Sequence, residues 1–147
     1  MKNDNLNIRV NVVANLFDKD GKLKATREVH NAVTSAGKNG IVSQLLATPA
    51  LGNLTHMELG TGTGGTTKLN AYISGSRQAF TSKTAASNVL TVVANFAAGV
   101  GTGSITEAGT FDSATQDSGN MWMYATFAAI AKAAGDSLQI TWTLTIN

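Results

Sequence analysis

Hydrophobic and polar residues alternate most strictly near residue 147. In LQITWTLTIN, Leu138, Ile140, Trp142, Leu144 and Ile146 fall on one side, and Gln139, Thr141, Thr143 and Thr145 on the other. A period of two predicts a β-strand with one buried face and one exposed or mildly polar face. LNIRVNVVANLF repeats the pattern more loosely, with Ile8, Val10 and Val12 on one side. DKDG, Asp18 to Gly21, then supplies turn chemistry, and KLKATREVHNAV returns, predicting a hairpin. THMEL, NVLTVVANFAA, GSITEAGTFD and MWMYATFAAIA read as further strands. Leu90, Val92 and Phe96 mark one face of the second, while Ile105, Ala108 and Phe111 keep only part of the alternation in the third.

One segment follows a helical period instead. AGKNGIVSQLLAT places Ile41, Leu45 and Leu46 on one face, Thr34 or Ser35 can cap its start, and Pro49 stops it. Gly37 and Gly40 weaken it, so one short helix near residues 35–47, packed against a sheet, is expected. The turn clusters GTGTGGTT, AAGVGTGS, DSATQDSGN and KAAGDS separate the strands. Roughly six to eight strands with Gly-rich turns predict a mainly β chain, an antiparallel β-sandwich of jelly-roll-like type. Residues 1–147 read as a single domain without linker or fixed repeat, and residues 1–5 as a flexible arm or a frayed terminus.

Composition sharpens this picture. Charged residues are 14% of the chain, against about 25% in an ordinary soluble domain. Much of the surface is therefore Thr, Ser, Asn, Gly and Ala, or is covered by something else. The net charge is +2 and the basic residues are scattered; the densest group, Lys19, Lys22, Lys24 and Arg27, is interleaved with Asp18, Asp20 and Glu28. That is a solvated hairpin, not a phosphate-binding stripe, and nucleic-acid binding is not expected. The absence of cysteine removes disulfides, zinc–thiolate sites and thiol catalysis. The polar start MKNDNLNIRV lacks a signal-peptide core, and no apolar run approaches the ~18–20 residues of a membrane helix, so a soluble chain without a membrane partner is expected.

The sharpest chemical spelling is HMELGTGTGGTTKL, where Gly60, Gly62 and Gly65 satisfy G-x-G-x-x-G. A dinucleotide turn also needs an apolar strand before it, a helix after it and an acid about 20 residues on. The preceding strand carries His56 and Glu58 and reads as half-exposed, TTKLNAYISGSRQ is a poor helix, and no Asp or Glu lies between Glu58 and Glu107. The stretch reads instead as a strand end and a mobile surface turn, in which Gly60, Gly62, Gly64 and Gly65 supply backbone angles that bulkier residues resist. DKDG lacks the flanking helices and the later Glu of a calcium loop. His30 and His56 lie in no hydrolase motif, and Glu28, Glu58, Glu107 and Asp112 show no spacing that argues for a glycosidase pair. No residue is nominated as catalytic, cofactor-binding or metal-ligating, and no cofactor is expected.

In MWMYATF, Trp122 and Tyr124 share one face of a strand and Met121 and Met123 the other. One face is assigned to the core, and the other to cover by a neighbouring sheet or subunit rather than to sugar stacking. Arg77 and Glu107 are the charges most isolated in apolar or Gly-rich surroundings. They are expected to approach each other, or each to satisfy turn backbone groups, because an unpaired charge there is costly.

The order of VHNAVTSAGKNGIVSQLL, MELGTGTGG, ISGSRQ, GSITEAGTFDSAT and DSLQITWTLTIN, over about residues 29–146, resembles a family of small virion structural proteins of tailed bacteriophages. The resemblance implies a non-catalytic assembly protein, a capsid cement or decoration subunit on the outer shell. Its partners would be the major capsid protein and itself, as a homotrimer, and its location the virion surface after synthesis in the host cytoplasm. The alternative it implies is a tail, baseplate or fibre-associated protein with a host-contact role. Many relatives have Arg before the Thr of MYATF, where this chain has Ala125, and any contact made by such an Arg is not carried over.

Overall fold

The computed structural model describes residues 6–147; the arm expected at residues 1–5 lies outside them. Among the described residues there are two antiparallel sheets and one helix. The five-stranded sheet has the order β2 (Leu23–Asn31), β1 (Ile8–Phe17), β9 (Ser137–Ile146), β6 (Val89–Phe96), β5 (Ser82–Ala86). The four-stranded sheet has the order β4 (Gln78–Ala79), β3 (His56–Gly60), β7 (Gly103–Phe111), β8 (Met121–Lys132). The two form the predicted β-sandwich.

The alternation of β1 and β9 is realised residue for residue. Val10 faces Leu144, Val12 faces Trp142 and Leu16 faces Leu138 across the ladder, and all six are buried. Each such side chain withdrawn from water contributes about 1.5–3 kcal/mol, which is why the strict pattern fixes the register. From the other sheet, Met57, Leu59, Ile105, Met123 and Phe127 enter the same core. The DKDG turn closes β1 onto β2 through Asp18, whose Oδ1 accepts the N–H groups of Asp20 and Lys22 at 2.9 Å, with Gly21 at φ +80°.

Two irregularities break the alternation in the four-stranded sheet. Phe111 pairs with Met121 and Thr110 with Met123, so Trp122 is an extra residue on β8. Trp122 and Met123 therefore both join the main core, while Met121 and Tyr124 pack with Leu69 and Phe111 in a second cluster. The expected face-sharing of Trp122 with Tyr124 is thus overturned by a bulge. Further along, Glu107 pairs with Thr126 but Ile105 with Ile130, which pushes Ala128 and Ala129 out of the ladder. Their carbonyls accept from Arg27 Nε at 3.1 Å and Nη2 at 2.9 Å, tying β2 to β8 across the edge of the sandwich.

The helix, α1 (Ser35–Ser43), begins where Thr34 accepts the N–H of Gly37 at 2.9 Å and itself donates to backbone carbonyls of β8. It ends earlier than expected, and of the three residues expected to face the sheet only Ile41 packs against the core. Its buried positions are Gly37, Gly40 and Ser43, whereas Leu45 and Leu46 lie beyond its end and are exposed. The reason is distance: a β-carbon at Gly37 would sit 2.1 Å from the Trp122 carbonyl oxygen, and one at Gly40 would sit 2.4 Å from the Trp122 ring. The glycines are the packing face, because only they let the helix lie this close to β8. Strands β4 and β5 have no counterpart in the hydropathy pattern; every residue of β5 is exposed, so no period marks it.

Candidate functional site

Pairing of β3 with β7 sets Glu58 opposite Gly109 and Gly60 opposite Glu107, so two carboxylates lie diagonally on the side of the sheet away from the main core. Loop 61–77 covers that side. Glu107 accepts the backbone N–H groups of Ala71 at 2.8 Å, Gly62 at 3.2 Å and Asn70 at 3.3 Å, and the hydroxyl of Tyr124 donates to it at 2.8 Å. Convergent backbone N–H groups make an anion-binding concavity, and here the anion is the protein's own side chain. The glycines of GTGTGG make room for it. A β-carbon at Gly60 would fall 2.4 Å from Glu107 Oε1, one at Gly62 2.9 Å from the same atom, and one at Gly65 2.4 Å from the Lys68 carbonyl oxygen. Of the four glycines assigned to unusual backbone angles, only Gly64 has a positive φ, +81°. The stretch is a clamp with an internal occupant, not a free turn.

Arg77 meets Glu58 rather than Glu107. Its Nη2 donates to Glu58 Oε2 at 3.0 Å, with both side chains only 2% exposed. Its Nη1 donates to the carbonyl of Ser113 at 2.8 Å, and its guanidinium lies 3.6 Å from the centre of the Phe111 ring. Gln116 Nε2 fills the remaining carboxylate oxygen of Glu58 at 2.8 Å. Arg77 and Glu107 therefore each satisfy backbone of loops, the second of the two expected arrangements, while the direct approach between them is replaced. Glu58, read as half-exposed from the alternation of β3, is 1% exposed because loop 61–77 lies over it. Burial and then Arg77 hold the His56 imidazole below its ordinary range. Burial in the first place, and the Glu107 carboxylate with it, pushes the Tyr124 phenol up.

Two further buried charges, Lys132 and Asp136, lie together elsewhere in the sandwich. Lys132, the last residue of β8, donates to the carbonyls of Asp136 at 2.7 Å and Ala97 at 3.0 Å, and burial pulls its ammonium below the usual range. Asp136 Oδ2 accepts from Lys24 at 2.7 Å and from the Ala133 N–H at 2.9 Å; Lys24 foremost holds its carboxyl low. Nothing in the spacing of KAAGDS marks this knot, because its partners come from β2 and a distant turn.

Both buried glutamates thus have their acceptor positions filled from within, and neither is presented to a substrate. His30 is exposed on β2 opposite Asn11, and His56 bonds Thr55 Oγ1 at 2.8 Å. Glu28 accepts from Asn11 at 3.1 Å, and Asp112 holds Asn120 at 2.7 and 2.9 Å. Beside the Arg77–Glu58 pair is a pocket of about 200 Å³ lined by Lys68, Tyr72, Asp117 and Ser118, where Lys68 and Asp117 pair at 2.7 Å. A larger, open hollow of about 450 Å³ separates residues 31–36 from Gly65–Thr67 and Tyr124. Ala125 is completely buried.

The surface departs from a polar coat in one region above all. Val42 is 65%, Leu45 86% and Leu46 57% exposed, side by side at the end of α1. Next to them a pocket of about 270 Å³ is lined by Gln44, Leu54, Lys83, Ala85, Leu90 and Trp122. This outward apolar face, and not the buried charges, is the candidate functional site. Sequence reasoning assigned Ile41, Leu45 and Leu46 to the packed face; Ile41 does pack against the core, Leu45 and Leu46 do not, and the signal for the difference was the Gly37–Gly40 spacing.

Comparison of the chain with protein-family models, with curated proteins and with solved structures finds no match.

Proposed function

We propose that the chain is a virion structural protein of the cement or decoration type, which docks on the outside of an assembled bacteriophage shell as a trimer and stabilises contacts between major capsid subunits. The observation that carries this reading is the outward apolar face of α1. The helix packs through Gly37, Gly40 and the partly buried Ile41, while Val42 near its end and Leu45 and Leu46 in the turn after it are left for a contact outside the domain. The interior charges support it, since Glu58, Arg77 and Glu107 are engaged in holding loops to the sheet. The order of sequence segments supports it as well. Stabilisation would follow from mass action: a subunit that binds the assembled lattice and not its dissociated parts adds about 2.7 kcal/mol per site at a hundredfold excess over Kd.

Co-sedimentation of the purified chain with assembled particles, compared with dissociated shell subunits, tests the reading. Binding to particles alone, with hundreds of copies per virion by quantitative mass spectrometry, is the expected result. A few copies per virion would replace the shell role by a tail, baseplate or fibre position, and absence of particle binding would remove the assembly role.

A further inference from the structure

We infer that the α1 face is a docking surface for an acidic amphipathic segment of another protein, one with an apolar stripe bordered by carboxylates. The inference takes from the proposed function only the idea that a partner protein exists; the partner's chemistry comes from the charges around the patch. Lys38 and Val42 are i and i+4 on α1, and Leu45 lies in the turn that follows, its N–H donating to the Val42 carbonyl at 3.1 Å, so the lysine adjoins the apolar residues. On the far side of the neighbouring pocket, Lys83 on β5 reaches over to donate to the carbonyl of Leu54 at 2.8 Å, which places its ammonium on the pocket rim.

Among the described residues, neither of these two lysines forms an ion pair with a carboxylate. The chain has no Asp or Glu between Glu28 and Glu58, nor between Glu58 and Glu107, and these intervals supply α1, the following loop, β5 and β6. Among the other described surface lysines, Lys19 pairs with Asp20, Lys24 with Asp136 and Lys68 with Asp117, while Lys22, on the acid-bearing DKDG turn, has no such pair. An apolar patch between two lysines without ion-pair partners is complementary to leucine-like residues flanked by Glu or Asp, and repels a basic segment. A second copy of the chain fits poorly. Its other exposed hydrophobics are isolated, and Leu23, beside the acids of the DKDG turn, has Lys19, Lys22 and Lys24 around it.

The test uses the full chain, labelled with ¹⁵N, and two synthetic amphipathic helices that share a leucine face but carry either glutamates or lysines elsewhere. At low salt the glutamate peptide is expected to bind at least about tenfold more tightly, since exposed charges act over about 10 Å at 0.1 M salt. Amide shifts should be confined to residues 38–54 and 82–90. Lys38→Glu/Lys83→Glu should reverse the preference, and Lys38→Glu alone, at an exposed position, should reduce it. Leu45→Ser/Leu46→Ser should abolish binding with an unchanged Tm. Equal affinity for the two peptides, shifts elsewhere, or no shifts would overturn the inference. Self-association abolished by Leu45→Ser/Leu46→Ser would assign the face to a second copy instead and overturn it too. If wild-type chain binds particles and Leu45→Ser/Leu46→Ser binds them equally, this surface is wrong while the shell role stands; if wild type binds no particles, the shell role fails whatever the peptides do.

Discussion

Gly40 lies so close beneath the indole of Trp122 that a β-carbon on it would fall 2.4 Å from the ring. The contact decides which side of α1 faces the sheet, and so which side faces a partner. In an exposed helix interior, alanine is better than glycine by roughly 0.5–1 kcal/mol. Here Gly40→Ala is expected to destabilise by about 1–3 kcal/mol, because the ring and the helix must separate. Asn39→Ala, at the adjacent exposed position, should be neutral or slightly stabilising. Urea unfolding of both variants checks the pair, and a stabilised Gly40→Ala would contradict the packing.

Removal of one buried charge should cost far more than removal of two. Arg77→Met leaves the Glu58 carboxylate uncompensated inside the protein, at an expected cost of about 3–5 kcal/mol. Glu58→Met/Arg77→Met should recover at least about 2 kcal/mol of it, since neither charge then needs a partner. Additive losses in the double variant would mean that the two side chains act independently.

Glu107→Gln keeps the shape of the clamp and removes its charge. Gly62 and Ala71 donate to Oε1 and Asn70 and Tyr124 to Oε2, so an amide NH2 at either place leaves donors facing a donor, and a loss of about 1–3 kcal/mol is expected. The phenol of Tyr124, raised by burial first and by Glu107 as well, should titrate at lower pH than in the wild type, because the neighbouring negative charge is gone. Ultraviolet difference titration reads this directly; an unmoved Tyr124 would show that Glu107 is not its neighbour in solution.

His56 gives the chain a pH dependence of definite sign. Its folded value is held below 6.5, so in the window just below 6.5 the unfolded chain binds more protons than the folded one. The His56 contribution to stability is present above pH 6.5 and is lost as pH falls from 6.5 through the folded value. Thermal unfolding across that window, compared with His56→Asn, should show a slope in the wild type that the variant lacks. An NMR titration placing His56 above 6.5 would reverse the sign and reject the account.

Strands β3, β7 and β8 were legible as strands, but which way their side chains face was legible only in strands with water on one side. β1 and β9 alternate because each has one face in the core, and their register follows. β7 and β8 are covered on both sides and carry bulges, so Trp122 changes face without any local sign in MWMY. β5 is exposed throughout and leaves no period at all. The helix was legible as a helix and Ile41 as its core contact, but Leu45 and Leu46 were read as packed too, since packing through glycine contributes nothing to hydropathy. Glu107 and Arg77 stood out as charges that needed satisfaction. Glu58 did not, because nothing in THMEL announces that loop 61–77 will fold over it.

The Glu107 clamp also orders events in time. The loop it holds precedes it in the chain, with Ala71 bonded to a carboxylate that lies 36 positions downstream. A ribosome releases the glycines of GTGTGG well before it releases the residue that shapes them. The loop can take its final form only after β7 has emerged and paired with β3, so the part of the molecule that spells most like a ready-made binding site is among the last to become one fixed shape.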